Sequence, residues 1–392
     1  MPSNYRTIYM DHAATTPVHP EVFYSMKPYL TSRYGNPSSA YHLGEYSAQA
    51  IAKAREQIAK VIHAHPSEIY FTGGGSESDN WALKGVVDYN RIRARQNRCH
   101  IMTTAIEHPA VLNSAVYLKE KGIEVDFLSV DREGRVNMKE LMHKTKPQTV
   151  LLSVMYANNE IGTIEPIDAL GDYAKLHNII FHTDAVQAFG QVPIDVKKSQ
   201  IDLLSASGHK LGGPKGVGFL YVRKNCPLEP FVHGGGQEQG KRSGTENVAG
   251  IVGLGKAAEL ASQNMEERRK RISAHRDMLA KLLLQQIHGS HINGAKGEER
   301  LPGNLNITLP GVNATELVAK LDEQGVLCST ASACSAHKSH ASHVLTSIGL
   351  TEEEALSTIR LTLGEENTMK QIYYVAQLIP QMVKEMEEDA AR

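Results

Sequence analysis

Asp184 and Lys210 are the residues most able to do chemistry in this chain, because of where their neighbours put them. Ile201-Asp202-Leu203-Leu204 is a short apolar run with the form of a buried strand, and Ser205-Ala206-Ser207-Gly208-His209-Lys210-Leu211-Gly212-Gly213 follows it. Lys210 therefore falls just past a strand end, on a glycine-rich loop that can approach a ligand closely. Asp184, 26 residues earlier, ends a run of the same form, Phe181-His182-Thr183-Asp184. An amine and a carboxylate on successive strand ends are what pyridoxal phosphate requires. The amine forms a Schiff base, and the carboxylate keeps the pyridine nitrogen protonated so that the ring can accept electrons. A single lysine after a strand is ordinarily a solvated surface residue, so the reading depends on its company.

That company is substantial. Thr72-Gly73-Gly74-Gly75-Ser76-Glu77-Ser78-Asp79 turns from a strand into a helix, where free N–H groups and the Ser76 hydroxyl suit a phosphate. Ser207 and His209 can add hydrogen bonds to it. His108, after a strand, can lie on an aromatic cofactor and move protons, or can be a satisfied structural histidine. In Asn158-Asn159-Glu160-Ile161-Gly162, Asn159 offers an amide to a substrate carboxylate or a cofactor phenolate, or simply serves a turn. Cys334 lies in the small, polar stretch Ser329-Thr330-Ala331-Ser332-Ala333-Cys334-Ser335-Ala336 and is either a reactive thiol or an incidental one. Arg360, within Ser357–Gly364, can hold a carboxylate through two parallel hydrogen bonds. Cys334, His337, His340 and His343 recur at intervals of three, with Cys328 nearby, which makes a zinc or iron site conceivable. A metal capping Cys334 would oppose a reactive-thiol role, so no metal ligand is assigned.

These residues need elements that deliver them to one place. Strand candidates at 69–71, 101–104, 125–130, 150–155, 179–182, 203–205 and 218–222 alternate with helical segments such as 44–62, one from the Gly73–Ser76 turn through Val87, and 167–177. The spacing argues a mostly parallel sheet covered by helices, an α/β class whose ligands lie at the carboxyl ends of the strands. Ser76, His108, Asn159, Asp184 and Lys210 all fall at such ends. After Gly244 the texture changes to a long, polar helical region over 248–286, with the charge run Glu266-Glu267-Arg268-Arg269-Lys270-Arg271. That run reads as a solvated face rather than a site for an acidic partner. A smaller α+β unit follows, with strands near 304–309 and 326–328 and helices near 314–323 and 367–387. The domain boundary is expected near 255–265.

A chain of 392 residues is long enough for a large core, and a net charge of −1 does not steer it toward nucleic acid or anionic membrane. No run reaches the roughly 18 apolar residues of a spanning helix, and residues 1–7 lack the apolar core of a signal peptide. Cys99, Cys226, Cys328 and Cys334 form no close pair, which suits a reducing compartment. The expectation is a cytoplasmic protein.

As a set, the motifs resemble the cysteine desulfurases of the NifS/IscS type, class-V members of the fold-type I pyridoxal-phosphate enzymes. The resemblance spans almost the whole chain. It is carried by Asp11-His12-Ala13-Ala14-Thr15-Thr16-Pro17, Gly35-Asn36-Pro37-Ser38-Ser39, Glu107-His108, Asn158–Gly162, Asp184-Ala185-Val186-Gln187, Ser207-Gly208-His209-Lys210, His233-Gly234-Gly235-Gly236, Arg242-Ser243-Gly244-Thr245, Ser332-Ala333-Cys334 and Arg360.

The resemblance implies a large cofactor domain over 16–258, its mostly parallel sheet of seven strands, and a small α+β domain from 1–15 and 259–392. It implies that Lys210 carries the cofactor, that Asp184 pairs with the pyridinium, Gln187 with the ring oxygen, and that His108 stacks on the ring. Gly75, Ser76, Ser207 and His209 would hold the phosphate, with Thr245 reaching it from the other subunit of a homodimer. Asn159 and Arg360 would fix the carboxylate of L-cysteine. Cys334 would take its sulfur as a persulfide, leaving alanine, and pass it to a scaffold or carrier protein for iron–sulfur assembly or a related pathway. Gly75-Ser76 stands where the family commonly has Ala-Thr, Ala331 where it has glycine, and Gln237 where it often has histidine. The longer tail through which some members dock a scaffold is expected to be missing. Other readings are a selenocysteine lyase or another β-eliminating enzyme and, in a different class, a non-catalytic metal- or partner-binding scaffold. The joint presence of Lys210, Asp184, His108 and Arg360 speaks against the last.

Overall fold

A computed structural model describes residues 7–96, 98–330 and 341–390. The chain opens with β1 (Ile8–Tyr9), α1 (Pro20–Thr31) and α2 (His42–Val61). It then alternates through β2 (Ile69–Thr72), α3 (Gly75–Ile92), β3 (His100–Thr104), α4 (Pro109–Glu120), β4 (Glu124–Leu128), α5 (Met138–Lys144), β5 (Thr149–Ser153) and α6 (Ile167–Leu176). Three consecutive strands follow: β6 (Ile180–Asp184), β7 (Leu203–Ser207) and β8 (Gly218–Val222). They complete a seven-stranded sheet of order β2-β8-β7-β6-β5-β3-β4, in which β8 alone runs against its neighbours.

The mostly parallel sheet matches the expectation, and its composition explains why. β2, β3, β7 and β8 are buried at every position, as strands must be when helices cover both faces. One face packs with α2, α6 and α7 through Ile58, Ile62, Phe181, Phe189 and Phe219. The other packs with α3 and α4 through Trp81, Leu83, Val86 and Val111. Fully burying a side chain of this size contributes about 1.5–3 kcal/mol.

The second half holds α7 (Val248–Ser262), α8 (Met265–Gln286), β9 (His291–Ile292), β10 (Asn304–Thr308), α9 (Ala314–Glu323), β11 (Val326–Leu327) and β12 (Ser329–Thr330). It ends with α10 (His343–Ser347), α11 (Glu352–Leu356), β13 (Thr358–Thr362) and α12 (Met369–Ala390). Strands β12-β13-β10-β9 form an antiparallel sheet. Its core joins Ile8 and Met10 to Leu305, Ile307, Ile359, Leu361 and Ile379. Among the described residues, no helix is long and apolar enough to cross a membrane.

Two local expectations change. The helical region over 248–286 is two helices, broken at Asn264, which adopts a left-handed φ of 49°; asparagine tolerates that conformation better than most residues. Its first half is apolar and buried rather than polar. The charge run on α8 is only partly a solvated face: the Arg268 Nη2 donates to the carbonyl of Gly190 at 2.8 Å and to that of Ala261. The strand at 326–328 is also divided, Val326–Leu327 pairing with β1 and Ser329–Thr330 with β13.

Candidate active site

The carboxyl ends of β3, β5, β6 and β7 open on a cleft of about 600 Å³ that also touches the N-terminus of α3 and one residue of β13. Lys210, Asp184, His108, Gly75, Ser76, Ser207, His209, Gln187, Asn159 and Arg360 all line it. Sequence spacing alone placed most of these at strand ends, and the fold brings them together.

Lys210 ends a tight turn, Gly208–Lys210, directly after β7. Its Nζ donates to the carbonyls of Ala13, and of Ala14 at 2.8 Å. The segment around Thr16 is pinned under the same turn: the Thr16 N–H and hydroxyl both donate to the His209 carbonyl at 2.9 Å. The Asp11–Pro17 motif thus serves as the floor beneath the lysine. Gln187 donates its amide N–H to the same Ala13 carbonyl at 3.0 Å.

Asp184 is the last residue of β6, two residues further along than the expected strand end, and is 6% exposed. Burial pushes its carboxyl up, while His108, the Val186 N–H at 2.9 Å and Lys210 pull it down. His108 caps α4, its Nδ1 accepting from the Ala110 N–H at 3.2 Å. Burial is the main cause holding its imidazole below the usual value, with Asp184 acting the other way. His209, hydrogen-bonded to the Thr15 hydroxyl at 3.1 Å, is driven down to about 4 by burial and Lys210. It is therefore neutral near pH 7.

At the N-terminus of α3 the capping residue, Gly74, offers no side-chain hydrogen bond, so the first N–H groups of the helix stay open to an anion. A Cβ on Gly75 would come within 2.6 Å of Val186 Cγ2. The glycine therefore lets the start of α3 and the turn after β6 approach closely. Glu77, in the same first turn, is neutralised by a two-armed ion pair with Arg242, at 2.7 and 3.1 Å.

On the opposite wall, Arg360 is 3% exposed. Its Nη1 donates to the Asn159 carbonyl at 3.0 Å and its Nη2 to Asp11 Oδ1 at 2.8 Å. Its Nε has no hydrogen-bond partner. Asn159 is held in place by Asn158, whose Oδ1 accepts from the N–H groups of Glu160 and Ile161 at 2.8 and 3.0 Å. Gly162 closes that turn at φ 75°, with Asn304 within 2.7 Å of where a Cβ would lie.

Thr245 is exposed and lies outside this cleft. Cys334, His337 and His340 fall outside the described residues. The chain on either side is at the site: Ser329 pairs with Arg360 across β12 and β13, and Ala341, Ser342 and His343 line the cleft. His343 Nε2 lies 3.0 Å from the Glu107 carbonyl.

Several functional groups were missed from sequence. Asp79, Glu107 and Glu160 line the cleft, and burial drives Glu107 up to about 8 and Glu160 up to about 7. Glu160 Oε2 accepts from the Ser342 hydroxyl at 2.5 Å. Asp11 is the acidic partner of Arg360. Asp79, three residues after Ser76 on α3, Glu107 beside His108, Glu160 inside the Asn158–Gly162 motif and Asp11 at the head of the Asp11–Pro17 motif all carried a signal by position; the pairing of Asp11 with Arg360 did not.

An amine, a buried carboxylate and open amide and hydroxyl donors, set round one cleft, define an enzyme of the pyridoxal-phosphate kind. The donor set fits that cofactor end to end: an anion cradle at α3, Asp184 for a ring nitrogen and Lys210 for a covalent link. The aminotransferase class-V family model matches residues 8–375, and the chain belongs to that family. A Clostridium botulinum protein named cysteine desulfurase IscS is 47% identical over 384 residues, 98% of this chain and 96% of its own. A solved NifS-like protein superposes with a TM-score of 0.90 at 38% identity, covering 96% of this chain and 99% of its own. Another, described as SspA in complex with cysteine, is 40% identical with a TM-score of 0.78, over 91% and 99% of the two chains.

Proposed function

We propose that this protein is a pyridoxal-phosphate-dependent cysteine desulfurase, which converts L-cysteine to L-alanine and passes the sulfur on as a persulfide. The observation that carries the reading is the convergence, in one cleft, of Lys210, Asp184 and Arg360 with both flanks of the segment that holds Cys334. The relatives named cysteine desulfurase and the neighbour holding cysteine support the same substrate.

The cofactor supplies an electron sink for the bond changes at the substrate carbon. The chain supplies the rest. Gly75, Ser76, Ser207 and His209 would hold the phosphate, and Gln187 and His108 would hold the ring. Asp184 holds a proton on the ring nitrogen. Lys210 Nζ would anchor the cofactor and, as a neutral amine, move the proton at the substrate α-carbon. Arg360, through its unpartnered Nε, orients the substrate carboxylate together with Asn159. The Cys334 thiolate attacks the substrate sulfur. The new S–S bond forms as the C–S bond breaks, its electron pair stays with carbon, and protonation gives alanine. Burial pushes the thiols of Cys99, Cys226 and Cys328 up, the last two to about 12, so none of these three is a ready thiolate.

The protein acts as a homodimer in which Thr245 completes the partner's phosphate site. In support, α1 and the connection from it to α2 expose the large apolar side chains of Phe23, Tyr24, Leu30, Tyr34 and Tyr41, which a second copy of the chain would cover. Residues 16–258 form the cofactor domain, and 1–15 with 259–392 the domain carrying Cys334; separate apolar cores support the division. A soluble sulfur-acceptor protein receives the persulfide. The test is product analysis with L-cysteine and a thiol reductant: equimolar alanine and sulfide support the reading. Pyruvate and ammonia would mean β-elimination and refute it.

A further inference from the structure

A second carboxyl faces the pocket beside Asp184. Asp79, on α3, is 1% exposed, and its Oδ1 has no hydrogen-bond partner. That oxygen lies 3.7 Å from His182 Nε2. His182, two residues before Asp184 on β6, sits between the Ser153 hydroxyl at 2.8 Å and the Ser205 hydroxyl at 3.0 Å. Burial drives its imidazole down to about 3, so it brings no positive charge. The groups that act on Asp79 are thus neutral His182 and acidic Asp184 from β6, the Ser205 hydroxyl from β7, and the Glu107 carboxyl after β3. No cation is among them. Asp184 is placed differently: the Val186 N–H, His108 and Lys210 all favour its charged form.

Two carboxyls in one desolvated site cannot both ionise without a large penalty, and the proton goes to the one with less support. We propose that Asp79 and Asp184 form a buried carboxyl pair in which Asp79 carries the proton and Asp184 the charge. Asp79 is then a positioning residue: it leaves a single negative charge, localised opposite the ring nitrogen. This role rests on the reading of Asp184 given under the proposed function. Burial, with Asp184 next, holds the Asp79 carboxyl well above the usual carboxylate range, and the Ser205 hydroxyl opposes them.

The test uses the cofactor-free protein labelled with carbon-13 at aspartate only, so that protonated glutamates such as Glu107 do not overlap in the infrared carboxyl region. At pH 7 the wild type shows a protonated aspartic-acid band that is lost in Asp79→Asn and survives in Asp184→Asn. Persistence of the band in Asp79→Asn, or its absence from the wild type, overturns the pair. A pH titration of the wild-type band needs no variant: its survival past neutrality supports the proposal, and its loss in the ordinary carboxylate range overturns it. Adding pyridoxal phosphate and reading its visible absorption tests the other premise. A wild type that shows the band but binds no cofactor leaves the pair standing and overturns the positioning role.

Discussion

The Arg360 guanidinium is buried with one acidic partner, Asp11, one carbonyl, that of Asn159, and an Nε that has no partner. A planar fork is needed to serve all three directions, and an ammonium cannot do so. Arg360→Lys is therefore expected to raise the KM for cysteine roughly 10- to 100-fold, the loss of a charge-assisted bond, with a smaller effect on kcat. Steady-state kinetics check this, and an unchanged KM would remove Arg360 from substrate binding. Glu165 is the cleanest probe of the buried carboxyls, since it lies outside the cleft. Burial pushes it up to about 8, although it accepts from the Val136 N–H at 3.0 Å. A carboxyl raised in the folded state binds its proton more tightly there than in the unfolded chain. Its contribution to stability is thus full near pH 4 and is lost as pH rises toward 8. Glu165→Gln keeps an acceptor and cannot ionise. Its stability relative to wild type should rise between pH 5 and 8, by at least ~1 kcal/mol, in denaturant titrations at the two pH values. A pH-independent difference would contradict the assignment.

At the scale of elements, the N-terminus of α3 and the turn after β6 have to meet closely for phosphate and ring contacts to share one cleft. Gly75 against Val186 is the contact that sets this distance. Gly75→Ala should weaken pyridoxal-phosphate binding about tenfold, and Gly75→Ala with Val186→Ala should restore it, a coupling expected of residues in contact. Equal binding by both variants would show that the contact is not limiting. Most of the large sheet was legible in sequence because buried parallel strands write themselves as apolar runs that stop at glycine and asparagine. Asp184 and Lys210 were legible for the same reason, each lying at the end of such a run. The division of 326–330 between two pairings was not, because it depends on β1 and β13, which are distant in sequence. The Asp11–Arg360 pair, 349 residues apart, is likewise a product of the fold and leaves no local trace. Glu107, Glu160 and Asp79 sat within recognised motifs, but their burial, which gives them their chemistry, appears only when the strands are assembled.

Over the whole molecule, the two halves meet at the cleft rather than merely beside it. A small apolar cluster joins Ile106, Met155 and Ile161 from the large-sheet side to Val344, Leu345 and Ile348 from the chain after residue 341. Two hydrogen bonds reinforce it, between Glu160 and Ser342 and between His343 and the Glu107 carbonyl. With Ser329 paired to Arg360 on the other side, the segment bearing Cys334 is tethered at both ends to the place where substrate would bind. The mechanism turns on sulfur leaving cysteine for that thiol. The direct measurement is a single turnover of the cofactor-loaded protein with L-cysteine and no reductant, followed by mass analysis of the peptide containing residue 334. The mechanism predicts the gain of one sulfur atom on that peptide with one alanine released, and neither in Cys334→Ser with cofactor still bound. Alanine formed at an undiminished rate by Cys334→Ser, or sulfur found on another cysteine, would contradict it.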